Sequence, residues 1–84
     1  MAGYLVETYV PRVQAGDLAA AAGRARAAAR SLAGEGRRIR FLHATFVPAD
    51  ELWLLVFDAE SSALVAEATA LAEIAYDRIL EAVE

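Results

Sequence analysis

RIRFLHATFVPADELWLLVFDA, residues 38–59, decides the fold. Two runs rich in β-branched and aromatic residues, 38–47 and 51–59, are separated only by Pro48, Ala49 and Asp50. That spacing predicts an antiparallel hairpin. On each side of it the period changes. Upstream, residues 18–36 place Leu18, Ala21, Ala25, Ala28 and Leu32 at helical spacing, with Arg24, Arg26 and Arg30 turned outward. Asp17 stands at the N-cap position, and Gly34 and Gly36 end the helix. Downstream, Ser61 or Ser62 caps a second helix over 63–75, with Leu64, Ala68, Leu71 and Ala75 along one side.

The outermost segments complete the pattern. GYLVETYVP (3–11) is a strand stopped by Pro11, followed by a loop, RVQAG, at 12–16. YDRILEAV (76–83) reads as the last strand, although Leu80, Glu81 and Ala82 would also suit a helix. The order strand, helix, strand, strand, helix, strand defines an α+β chain. Right-handed crossovers turn it into a ferredoxin-like βαββαβ plait, an antiparallel sheet in the order 4-1-3-2 with both helices on one face. The opposite face is left bare.

At 84 residues the chain holds one domain, 1–84, with a small core. Hydrophobic residues make up 58% of it, many of them alanines that bury little area each, which favours gaining further burial by self-association. There is no cysteine, so thiolate metal sites and disulfides are excluded. The formal net charge is −4 and all eight basic residues are arginines. That balance argues against a nucleic-acid partner, and the nearest basic footprint, GRRIR at 36–40, reads as a solvated loop and edge. With neither a charged leader before an apolar run nor a stretch long enough to span a bilayer, the expected setting is the cytoplasm, away from membranes.

Alternation across the strands then sorts the side chains. In 38–47, Leu42, Ala44 and Phe46 form an apolar set that belongs under the helices, leaving Phe41, His43 and Thr45 for the open face. In the first strand, Val6, Thr8 and Val10 alternate with the mixed set Leu5, Glu7 and Tyr9. In 51–59 both sets are apolar, which implies that the open face is covered. The expectation is a site in which Glu7 and His43, the only carboxylate of the first strand and the only histidine of the chain, converge inside an aromatic wall of Tyr9, Phe41, Trp53 and Phe57. A carboxylate in a half-buried strand needs a partner, and Arg78 in the adjacent strand is an alternative one.

Three segments together resemble one family. YLVETYVP matches an opening strand that ends in glutamate and, four residues later, proline. FLHATF matches an aromatic–leucine–histidine–small–aromatic strand. VFDAESSALVAEA, followed by YDRI, matches an aromatic–aspartate–alanine turn, a capped helix and an aspartate–arginine ending. The chain resembles the small actinobacterial nickel-binding-protein type, ferredoxin-like domains related to dimeric α/β-barrel proteins, from about Tyr4 to Val83. The resemblance implies a homodimer packed through the open sheet face. It makes Glu7 and His43 characteristic positions, and His43 and Glu7 the ligands of any divalent metal such as nickel. The chain departs from the family at Leu55, Phe57 and Ala68, and lacks a Gly-x-Pro before the last strand.

Three functional classes follow. One is a small soluble dimeric binding protein whose open face encloses a pocket for a small, largely apolar ligand or a metal ion. The second is a cofactor-independent enzyme of isomerase, cyclase or monooxygenase type, with Glu7 or His43 as general base in the same pocket. The third is an interface with no ligand at all.

Overall fold

β-branched and aromatic runs draw the chain into four strands, and the alanine-rich stretches between them form two helices. The computed structural model describes residues 2–83. β1 spans Ala2–Tyr9, α1 Leu18–Gly34, β2 Ile39–Val47, β3 Leu52–Ala59, α2 Ser62–Leu71 and β4 Arg78–Ala82. The 12–16 segment, expected as a loop, lies in a 3-10 turn, Arg12–Asp17, leading into α1, and a second 3-10 turn at Pro48–Asp50 closes the hairpin. The sheet order is β2-β3-β1-β4 with every neighbouring pair antiparallel, which is the ferredoxin-like arrangement expected from the element order. No helix among the described residues is long and apolar enough to cross a membrane.

Both helices pack on one face. α1 offers it little more than methyl groups, Ala21, Ala25, Ala28 and Ala29, with Leu32 at the end. α2 contributes Leu64, Val65 and Ala68. Such thin helix faces leave volume to be filled from the sheet, and protein interiors do not tolerate voids. The sheet fills it with large rings and branched chains: Tyr4 and Val6 from β1, Ile39 and Phe41 from β2, Trp53, Leu55 and Phe57 from β3. Phe41 and Phe57 meet edge to face with their centroids 5.3 Å apart.

Two sequence expectations fail here. Trp53, Phe57 and Phe41 do not lie on the open face; all three are in the core, at 4%, 0% and 8% exposure. For β3 both faces are apolar, so polarity carried no information and ring volume decided. For β2 the cause is a bulge. Phe41 is opposite Phe57, but His43 is opposite Val56, so Leu42 is an extra residue without a partner in the register. Ile39 and Phe41 before it, and Ala44 and Phe46 after it, therefore share the core face. Strict alternation across 41–43 had placed Phe41 outward and Leu42 inward.

In α2 the expected stripe is displaced. Its buried residues are Leu64, Val65, Ala68 and Thr69, while Leu71 is 56% exposed beside Ala27 and Ala28, and Ala75 lies beyond the helix. Thr69 satisfies its buried hydroxyl by donating to the Ala66 carbonyl at 2.8 Å. Ser61, not Ser62, is the cap, its hydroxyl accepting from the Leu64 N–H at 3.2 Å. The helix stops in a left-handed residue, Glu73 with φ 58°, whose N–H donates to the Ala70 carbonyl while Ile74 donates to Thr69. This termination is normally made by glycine. Glu73 has no side-chain hydrogen bond among the described residues, so Glu73→Gly should raise stability by about 1 kcal/mol, relieving the left-handed penalty. Thermal melting followed by circular dichroism checks this; an unchanged or lower midpoint would mean that the turn carries no strain.

Candidate functional site on the open sheet face

The registers fix what the uncovered face presents. His43 pairs with Val56, and Val56 with Leu5, which is opposite Leu80. In the next row Thr45 pairs with Leu54, Leu54 with Glu7, and Glu7 with Arg78. Tyr9 lies opposite Leu52 one row further. Across β3 and its neighbours the face is thus an aliphatic strip, Leu5, Leu52, Leu54, Val56 and Leu80, all half-buried. A polar group stands on each side: His43 and Thr45 on β2, Glu7 and Arg78 on β1 and β4.

Glu7 and His43 do share this face, as alternation predicts. They do not meet within one chain. Two strand spacings and one residue pair along the strand separate their backbones by roughly 12 Å. Glu7 is held instead by Arg78, whose Nε donates to Oε1 at 2.5 Å, with the Glu7 side chain only 18% exposed. This is the alternative partner the sequence offered. Asp77 supports the same corner: its N–H donates to the Glu7 carbonyl and its carboxylate accepts the Tyr9 N–H at 2.7 Å. The aspartate–arginine pair of YDRI thus has a local explanation, closing the β1–β4 ladder and neutralising Glu7.

A metal ion does not fit this donor set in one chain. Among the described residues no three His, Asp or Glu side chains are grouped closely enough to hold one. Of the two proposed ligands, Glu7 is engaged by a guanidinium and His43 is two strands and one row away. Nickel and zinc sites need a more complete set.

Tyr9, the remaining wall residue, is 59% exposed and turns toward the hairpin. Its hydroxyl donates to Glu51 Oε1 at 3.0 Å. Glu51 Oε2 accepts the Arg12 N–H at 2.8 Å, and the Glu51 carbonyl accepts the Val10 N–H at 2.8 Å. Glu51, itself left-handed at φ 50°, is a clamp that ties the end of β1 to the turn between β2 and β3. Sequence reasoning missed it because a carboxylate in a polar turn looks like any solvated one.

The clamp sets two titrations. The backbone N–H of Arg12, then the Tyr9 hydroxyl, hold the Glu51 carboxyl below its ordinary 4.5. The hydrogen bond to Glu51, then its negative charge, raises the Tyr9 phenol above its ordinary 10.0. The Glu51 contribution is present above its unfolded-state pKa and is lost as the pH falls through the depressed value. The Tyr9 contribution is present below 10.0 and is lost as the pH rises through the raised value. Glu51→Gln should therefore lose less stability than wild type on acidification below about pH 4.5, and its Tyr9 should ionise at lower pH. Melting against pH, with ultraviolet detection of tyrosinate, reads both; identical curves would show that the clamp is idle.

The architecture defines a ferredoxin-like α+β class. Within it, the chain is similar to SCO4226 from Streptomyces coelicolor A3(2), known from a crystal structure, with a TM-score of 0.72 over 96% of this chain and 95% of that one. Identity is 18%, so the likeness is one of fold. That fold is thus shared with an actinobacterial protein of about the same length. No family model and no curated protein matches the sequence.

Proposed function

We propose that the protein is a dimeric binding module that holds a small, largely apolar organic ligand between two open sheet faces. The observation that carries the reading is the aliphatic strip of Leu5, Leu54, Val56 and Leu80 on a face that no part of the described chain covers. Two helices on one side of one sheet make a body only 17 Å thick in its shortest dimension, so there is no third layer. Apolar surface of this kind is covered by a partner, a ligand or both. Apposing two copies would add a second His43, Thr45 and Glu7–Arg78 pair around the same strip, giving apolar walls with a few polar anchors.

Catalysis by Glu7 has less support, since its carboxylate is already engaged by the Arg78 guanidinium. The occupant is taken as organic because the strip between the polar groups is aliphatic.

The test is native mass spectrometry of gently purified protein, with metal analysis on the same sample. A dimer carrying an organic adduct, displaced by an apolar dye such as anilinonaphthalene sulfonate, is the expected result. A dimer that neither carries an adduct nor takes up the dye would reduce the face to an interface. Stoichiometric metal would overturn the choice of an organic ligand.

A further inference from the structure

We propose that the groove between α1 and the edge strand β2 binds a small oligophosphate. It has a volume of about 790 Å³ and is lined by five arginines, Arg26, Arg30, Arg37, Arg38 and Arg40. They converge from three elements: Arg26 and Arg30 one turn apart on α1, Arg37 and Arg38 in the connection, and Arg40 on β2. No carboxylate lines the groove. The whole chain has only eight basic residues and a formal net charge of −4, so placing five of them around one hollow leaves three for the remainder. Mutual repulsion among the five favours their dispersal, and an anion relieves it.

The guanidinium groups are partly organised beforehand. Arg26 lies over the Phe41 ring at 5.3 Å. Glu67 holds Arg37 at 3.1 Å, and Asp58 holds Arg40 at 3.1 Å, neither acid being part of the lining. Each of these cations keeps further N–H donors beyond those its carboxylate uses. Arg30 and Arg38 form no ion pair among the described residues. Beneath them Ala29, Ala33 and Ile39 provide a narrow apolar floor that leaves room for an occupant. β2 is a sheet edge, so part of its backbone has no strand partner and can donate as well.

The chemistry selects the class of ligand. A planar fork of donors matches phosphate oxygens two at a time, and several forks around one hollow match a chain of phosphates better than a single carboxylate. The volume is that of a small-molecule site. A single confined patch on an acidic chain lacks the extended basic footprint that nucleic acid requires.

The experiment uses the whole protein and inorganic tripolyphosphate as the probe, followed by calorimetry at low and moderate salt. Binding should be saturable at one site per chain and weaken steeply between about 50 and 200 mM salt. Arg30→Gln with Arg38→Gln, which breaks no ion pair or side-chain hydrogen bond among the described residues, should weaken it about tenfold or more. Ala19→Glu with Ala20→Glu makes the same change in net charge on an exposed part of α1 and should leave affinity within about twofold. Vesicles of phosphatidylcholine with 5% phosphatidylinositol bisphosphate form a separate arm. Capture by those vesicles without binding of tripolyphosphate would overturn the proposal in favour of a membrane headgroup. Absence of binding, equal loss in both double variants, or equal competition by a glutamate-rich peptide of matched charge would also overturn it.

Discussion

Leu54→Glu is expected to convert a dimer into a folded monomer. Leu54 is at the centre of the open face, opposite Glu7 on one side and Thr45 on the other, and it contributes nothing to the core beneath the helices. In an isologous interface the new carboxylate appears twice, desolvated and beside an existing acid. A cost of about 3 kcal/mol per copy, felt twice in the dimer, would weaken association roughly ten-thousandfold. Sedimentation at micromolar concentration should give about twice the 9.0 kDa chain mass for wild type and the chain mass for the variant. The melting curve of the variant should remain cooperative. A wild-type monomer, or a variant that still dimerises, would remove the sheet-face assembly and the enclosed ligand with it.

Phe57→Ala should have the largest effect on folding. The ring is fully buried, pairs with Phe41 across β2 and β3, and fills space that the alanine face of α1 cannot. Removing it costs about 3–5 kcal/mol in transfer and cavity terms. A domain of this length has a total of about 4–13 kcal/mol. The midpoint should fall by roughly 20 °C, or the variant should be largely unfolded at 37 °C. Circular dichroism melting measures this, and Phe57→Leu should recover most of the loss. A small change in stability with a large change in association would mean that the ring faces outward after all.

That contrast shows where sequence reading works in this chain. The element order and the sheet order follow from the change of period between 38–59 and its flanks, because strand and helix periods are set by backbone geometry. His43, Thr45 and Glu7 could be placed on the open face because their neighbours differ from them in polarity. Trp53 and Phe57 could not, because Leu52, Leu54 and Val56 are equally apolar and the deciding quantity is the volume left by α1. Phe41 was misplaced because a bulge leaves no composition of its own; only the spacing of Ile39, Phe41, Ala44 and Phe46 hints at it. The Glu51 clamp and the arginine groove depend on residues distant in sequence that only the folded chain brings together.

The bulge at Leu42 has a consequence for how assembly ends. Without the extra residue β2 would alternate regularly and still send Phe41, Ala44 and Phe46 to the core, so the insertion adds nothing to packing. It lies instead on an edge strand, where a straight run of open backbone is a template for another chain. An irregular, arginine-bearing rim is a poor template, and so growth from that side is discouraged. In the dimer proposed above, contact through the broad face would close on itself after two copies, whereas contact through a strand edge would have no natural limit. The extra Leu42 thus makes the β2 edge a poor template for another strand.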